Sequence, residues 1–396
     1  MLSSFSVSPH RAVQIVFAIF GSGSGLWAGA IPSVLRQAHL TPALYGQALT
    51  LYAVAYIAAM SSVGRLSRHF SLRRILCVGV PLLGLVVPAL VMSPSSLICC
   101  VLLVAFGLTG GLVDSTMNAE GTKVEADMRR PVLAGLHGMA SFGICLPALL
   151  GSLLAVEVGL GAVAAIALIL FAYGTMVVWR SIPERGLEHS SAAARAGIGR
   201  PGLALSLLGL AIGISITGEM AAATWSAKFL EVQAPGLAAL AGAGTAFFAA
   251  FQVAIRLLAD RLRTMVSDYV LIVASFVIAL VGFGVVACDL GFAASVLGFA
   301  LIGFGTGAIV PCGFALAVAR SSLPAAATLS FVAMVSAVPR LPAPFIIGEL
   351  SARYSFAAAF IFLTGLFAAA LLIMFALGIV KAPATQSPAP QPAIEG

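Results

Sequence analysis

Residues 43–92 read ALYGQALTLYAVAYIAAMSSVGRLSRHFSLRRILCVGVPLLGLVVPALVM. The runs 43–62 and 74–92 contain no charged side chain apart from Arg74 at the start of the second, and the turn between them holds Arg65, Arg68 and Arg73. A helix rising about 1.5 Å per residue needs roughly 20 apolar residues to cross a hydrocarbon layer about 30 Å thick. Each run therefore reads as one membrane-crossing helix, and the basic turn as a loop in water.

The pattern continues along the chain. Before the first of these runs lies 12–31, and after the second come 97–118, 132–154 and 161–179. A second group of six follows at 203–224, 237–258, 265–287, 292–319, 325–350 and 356–380. Composition agrees: 61% of the 396 residues are hydrophobic, 9% are charged and the mean hydropathy is +1.09. An average soluble protein is about 25% charged. Twelve spans of about 20 residues use roughly 240 positions, which leaves short connections. The expectation is an all-α polytopic membrane protein, and a soluble enzyme or secreted disulfide scaffold is excluded. A nucleic-acid-binding domain is excluded too, because the 21 Lys and Arg are too scattered to form a basic face.

Charge supplies orientation, since cytoplasmic loops carry the excess of Lys and Arg. With the N-terminus inside, Arg36, Lys228 and Arg353 fall outside and Arg340 falls within a span, while the other 17 of the 21 lie on the inner side. Both termini are expected in the cytoplasm of a bacterial cell, with the chain in its inner membrane. The net charge of +7 then reflects topology, with no acidic partner implied. Cys77, Cys99, Cys100, Cys145, Cys288 and Cys312 fall in apolar stretches without metal-ligand or redox spacing and read as packing residues. The first apolar run lacks a cleavage site of small residues and reads as a retained helix.

The two sixes are related. Trp27 matches Trp225, Gly107 and Gly111 match Gly303 and Gly307, and Pro147-x-x-x-Gly151 matches Pro344-x-x-x-Gly348, all in the same order. Arg65 and Arg68 correspond to Arg256 and Arg261. The expected organisation is a six-helix bundle at 1–180, a cytoplasmic linker at 181–202, a second bundle at 203–380 and a disordered tail at 381–396. A chain of two such repeats places its ligand site near the midplane, between the halves.

Over essentially its whole length the sequence resembles the major facilitator superfamily (MFS). The family's loop between spans 2 and 3 has a Gly, three residues, an acid and then basic residues. Here it reads Gly64-Arg-Leu-Ser-Arg68 with Arg73 and Arg74 beyond, so Arg68 stands where the acid belongs. The second copy, Arg256-Leu-Leu-Ala-Asp260-Arg261, keeps the acid but lacks the first Gly. The resemblance implies two pseudo-symmetric six-helix bundles, with these loops closing the cytoplasmic side. Asp114-Ser-Thr-Met-Asn118, His137-Gly-Met-Ala-Ser141 and Glu219-x5-Trp225-Ser226 are similar to the fucose-permease-like bacterial branch.

Ionisable side chains inside spans are costly and mark function by default. Asp114 and His137 fall in the same inner layer by helical rise, and Asn118 shares a helix face with Asp114. Asp114, Asn118 and His137 are thus a candidate polar cluster, for proton coupling or as a fixed hydrogen-bonded gate. Glu219 and Arg340 lie at matched depth, roughly 23 Å from the inner face by the same rise. Glu219 is a proton-coupling candidate, and either the two residues neutralise each other or Arg340 holds an anionic substrate group. The prolines of Pro339-Arg340-Leu-Pro342-Ala-Pro344 should interrupt that span. Trp27, Trp225 and Tyr56 are candidates for stacking on a substrate ring, the tryptophans alternatively for anchoring at the membrane interface.

The glycine runs of spans 1, 4 and 10 follow no strand, so a dinucleotide site is rejected. No phosphate-binding loop occurs, which leaves an ion gradient as the energy source. The sequence reads as a monomeric secondary transporter of a small solute, without a cofactor or metal and with protons as coupling ion. A sugar or other polar metabolite leads, export of a drug-like compound or organic anion is the alternative, and a non-transporting sensor or assembly factor is the rival of a different class.

Overall fold

A computed structural model describes residues 7–130, 132–185 and 202–379. Spans 1 to 6 are the helices α1 (Pro9–Gln37), α2 (Pro42–Leu66), α3 (Leu72–Val91), α4 (Ser96–Met128), α5 (Leu133–Glu157) and α6 (Leu160–Ser181). Span 7 is α7 (Leu203–Gln233), and a 3-10 turn, Pro235–Leu240, leads into α8 (Ala243–Met265). Span 9 is α9 (Asp268–Ala287). Spans 10 and 11 are each broken, into α10 (Phe292–Thr306) with α11 (Ile309–Arg320), and α12 (Ala325–Arg340) with α13 (Ala343–Arg353). Span 12 is α14 (Phe356–Ile379). Among the described residues, twelve helical stretches are long and apolar enough to cross a membrane, as the sequence predicts.

Local chemistry sets several ends. Ser8, Thr41, Ser71, Ser95 and Ser267 cap α1, α2, α3, α4 and α9 by accepting from backbone N–H groups of the first turn, which otherwise lack partners. Pro339, Pro342 and Pro344 supply no amide hydrogen, and span 11 breaks at Leu341 and Pro342. Arg340 is thereby left as the last residue of α12.

In lipid the association of helices depends on close packing more than on the hydrophobic effect, so small residues sit where backbones meet. A Cβ on Gly107 would lie 2.4 Å from the carbonyl oxygen of Tyr52, and one on Gly303 would lie 2.0 Å from that of Phe248. The α4 backbone thus touches α2 at the same place in the repeat where α10 touches α8. In the first six spans α1 packs on α5 and α6, and α3 on α4 and α6; in the second six α7 packs on α12 and α14, and α9 on α10 and α14. The halves meet through α5 with α8, α2 with α13, and α1 with α7.

Several contacts between the halves lie on the side away from the start of α1 and the end of α14. There Arg36 forms an ion pair with Glu231, which also accepts from Lys228 Nζ at 2.6 Å. Ser152 Oγ donates to the carbonyl of Ala239 at 3.0 Å and accepts from the Gly242 amide at 3.0 Å. The Tyr45 and Trp225 rings meet edge to face with centroids 4.9 Å apart.

Four helices, α1, α4, α7 and α8, run well past the C-terminal ends expected from sequence. The apolar run of span 4 ends at 118, but α4 continues to Met128 because Glu120 is buried, 1% exposed, with its Oε1 3.4 Å from Arg185 Nη1. The run of span 8 ends at 258, but α8 continues to Met265. Arg256 therefore lies well inside a helix and does not belong to a loop. The expected linker falls outside the described residues except for 181–185 and 202, and the expected tail falls wholly outside them.

Candidate functional site

A cavity of about 210 Å³ lies between the halves. Phe20, Ser24 and Trp27 of α1, Tyr52 and Tyr56 of α2, Phe106 of α4 and Ile144 of α5 line it from one half. Met220 and Thr224 of α7 and Thr245 of α8 line it from the other. A narrow recess of about 20 Å³ shares Tyr52, Met220 and Thr224 with it and is also lined by Thr217, Trp225 and Arg340.

At one edge, the Tyr56 hydroxyl donates to Asp114 Oδ2 at 2.8 Å, and Asn118 Nδ2 donates to Asp114 Oδ1 at 3.0 Å. The expected Asp114 and Asn118 contact is made, with Tyr56 as third member. His137 is not: its ring meets Phe17 edge-on at 5.5 Å, and no described hydrogen bond joins it to Asp114. Equal depth placed the two together in one dimension, but α5 turns His137 toward α1.

The matched depth of Glu219 and Arg340 also fails to make an ion pair. Glu219 Oε2 accepts from Gln252 Nε2 at 2.8 Å and lies 3.7 Å from Arg256 Nη2. Arg256 Nη1 donates to Ser141 Oγ of the other half at 2.8 Å. Arg340 is left with a buried Nε that has no hydrogen-bond partner. Gln252 is the site residue that sequence reading missed, and Arg256, expected in a cytoplasmic gate loop, meets Glu219 inside the structure instead. Their spacing on one helix face, four residues apart and within reach of span 7, was the available signal.

Trp27 and Trp225 are 4% and 1% exposed, which corrects the alternative of interfacial anchors. Trp27 faces the cavity, and Trp225 packs between Tyr45 and Phe356.

The expected gate loop divides. Ser71 Oγ donates to Glu184 Oε1 at 2.8 Å, Arg73 Nη1 donates to Oε2 at 3.1 Å, and Arg74 Nε lies 2.9 Å from Oε1. These bonds stay within the first half. Glu184, just after span 6, supplies a carboxylate to the loop that carries Arg68 in place of one. A Cβ on Gly64 would meet nothing within 4 Å, and Arg68 and Arg261 are exposed. The Asp260 side chain is outside what the structure describes. Cys288, expected to be a packing residue, is exposed at the end of α9, whereas Cys99 and Cys312 are buried.

Two helical bundles enclosing an interior cavity, with charged side chains held inside twelve membrane spans, define a polytopic membrane carrier. The family model of the Major Facilitator Superfamily matches residues 14–344, and the chain belongs to that family. An uncharacterized transporter, y4wD, of Sinorhizobium fredii is 28% identical over 381 residues, which cover 93% of this chain and 97% of that protein. The membrane protein MosC of Rhizobium meliloti is 26% identical, covering 89% of this chain and 86% of that one. Among solved structures the nucleoside transporter NupG superposes with a TM-score of 0.74 at 12% identity, over 95% of this chain and all of that one. The human organic anion transporter MFSD10 superposes with a TM-score of 0.65 at 14% identity, over 92% of this chain and 98% of that one. At those identities the likeness shows the fold alone.

Proposed function

We propose that the chain is a secondary active transporter that carries a small polar solute by alternating access, coupled to protons, through the cavity between its halves. The observation that carries the reading is the Tyr56 hydroxyl, which lines the cavity and donates to Asp114 at 2.8 Å. A proton on Asp114 removes the charge that holds this hydroxyl and frees it to turn to a solute. Protonation and solute binding are thereby linked at one side chain. Glu219, held by Gln252 and Arg256 across from Ser141, is the second candidate for coupling, because its charge holds the guanidinium that bridges the halves.

With the termini on the cytoplasmic side, as the charge distribution favours, the packed contacts on the opposite side make this an inward-facing arrangement. The inner membrane of a bacterium is the setting that the relatives support. Drug-sized ligands occupy sites of about 300–1,000 Å³. A cavity of about 210 Å³ fits a metabolite with a single ring better than a large amphiphile. The polar patterns of spans 4, 5 and 7 support placement near the fucose-permease-like branch.

Reconstituted protein tests the reading. Uptake and counterflow of a broad metabolite panel are measured in proteoliposomes with and without an inward proton gradient. Saturable uptake that the gradient accelerates is expected. Absence of saturable flux for every compound, from protein that remains folded, would remove the transporter assignment.

A further inference from the structure

Four charged side chains held in the spans bear on the site: Asp114, bonded to the cavity-lining Tyr56, Glu219 and Arg256, which face each other, and Arg340, which lines the recess; three of them are matched. Glu219 has Arg256 and Gln252, and Asp114 has the hydroxyl of Tyr56 and the amide of Asn118. Arg340 is different. Its Nε is buried without a partner, no described hydrogen bond or ion pair uses its guanidinium, and its ionisable neighbours are Tyr52 and Tyr56 of α2 and Glu219 of α7. It lines the recess that continues the cavity past Tyr52.

An unpaired cation inside a membrane span is expensive and normally finds a partner or faces a ligand pathway. A neutral sugar would leave that charge unmatched. A carboxylate would accept two parallel N–H bonds from the planar fork, the geometry that guanidinium groups favour. A doubly charged phosphate would need a second free cation, and Arg256 is already engaged by Glu219. Beside the recess, Trp27, Tyr52 and Phe106 face the cavity and offer surfaces for a flat ring.

We propose that Arg340 anchors the carboxylate of a flat-ringed organic monoanion, whose ring occupies the cavity against Trp27, Tyr52 and Phe106. This rests on the transporter reading and names the substrate class of its site. Charge balance follows. The four side chains sum to zero when both acids are ionised, so a bound monoanion leaves one uncompensated negative charge, which a proton on Asp114 removes. Binding of the anion and uptake of one proton favour each other.

The test uses the full chain purified in detergent and matched probe pairs, benzoate with benzamide and nicotinate with nicotinamide, beside glucose and uridine. Affinities come from thermal shift and tryptophan fluorescence. At least one acid should bind about tenfold or more tighter than its amide, as expected when hydrogen bonds to a charged group are lost. The preference should vanish in Arg340→Gln and survive in part in Arg340→Lys, which keeps the charge without the fork. Should Arg340→Gln fail to fold, loss of most of the preference in Arg340→Lys decides. Acid binding should also tighten as pH falls from 8 to 6 in the wild type and not in Asp114→Asn. Amides, glucose or uridine binding as tightly as every acid, an acid preference that survives in Arg340→Gln, or no binding by any acid would overturn the proposal. Saturable flux of a neutral probe would sink the anion class and keep the transporter, whereas anion binding without any flux would do the reverse.

Discussion

The guanidinium of Arg256, in α8 of the second half, donates to Ser141 Oγ in α5 of the first at 2.8 Å, while its other terminal nitrogen lies 3.7 Å from Glu219 of its own half. One cation thus ties a carboxylate in one half to a hydroxyl in the other, in a layer that must part and close during an alternating-access cycle.

Removing either partner should be felt. Exposed ion pairs contribute about 0.2–1 kcal/mol, and breaking a fully buried one costs about 3–5 kcal/mol. The side chains of Arg256 and Glu219 are 28% and 18% exposed, so Arg256→Gln should destabilise by an amount between those limits, on the order of 1–2 kcal/mol. In Glu219→Gln, Arg256→Gln should cost less than in the wild type. A thermal denaturation cycle on the four proteins measures this, and strict additivity would mean the two residues act independently.

Asp114→Asn keeps the shape, and its oxygen can still accept from Asn118 while its NH2 donates to the Tyr56 hydroxyl, but it cannot release a proton. Accumulation driven by a pH gradient should be lost while solute exchange continues. Counterflow in liposomes without a gradient separates the two, and undiminished accumulation across pH 5.5 to 8 would remove Asp114 from coupling.

Close backbone approach predicts a contrast between two glycines. A Cβ at Gly303 would sit 2.0 Å from the Phe248 carbonyl oxygen, whereas one at Gly365 would meet nothing within 4 Å. Gly303→Ala should destabilise by about 1–3 kcal/mol, the usual range for overpacking, and Gly365→Ala should be neutral or mildly stabilising through helix propensity. Thermal unfolding in detergent is the readout.

On the terminal side, the Ser71 hydrogen bond, followed by those from Arg73 and the charge of Arg74, holds the Glu184 carboxyl below the ordinary glutamate value of 4.5. Because the folded value is lowered, its stabilising contribution is present above pH 4.5 and fades as pH falls through the lowered value. Glu184→Gln should flatten that acid limb of a stability profile, measured by the melting temperature between pH 3 and 6, and leave the neutral region less stable by a small constant amount.

What could be read from the chain before its structure divides along physical lines. Twelve spans and their pairing into two sixes were legible, because hydrocarbon thickness imposes a length and the Gly107 and Gly303 contacts recur where the sequences align. Depth can be estimated from sequence, since rise per residue is constant. Azimuth cannot, as the angle at which a side chain leaves its helix relative to neighbours depends on how the helices rotate in the bundle. Glu219 and Arg340 share a depth yet find other surroundings, and His137 turns to Phe17 instead of Asp114. Helix ends were misread where charge accompanies burial. Glu120 and Arg256 look like loop residues by polarity, but Arg185 meets the first and Glu219 the second inside the structure.

Under alternating access a solute crosses because the contacts between the halves at Arg36 and Glu231 come apart. Arg36 and Glu231 form an ion pair there between the halves, and Arg36 is half exposed and within reach of reagents. In a variant with the six native cysteines replaced, Arg36→Cys and Glu231→Cys are joined by a short bifunctional thiol reagent with a reducible spacer, and flux into proteoliposomes is measured before and after reduction. Cross-linking should stop flux and reduction should restore it, while either single variant treated alike should keep its rate. Full flux through the cross-linked protein would contradict alternating access.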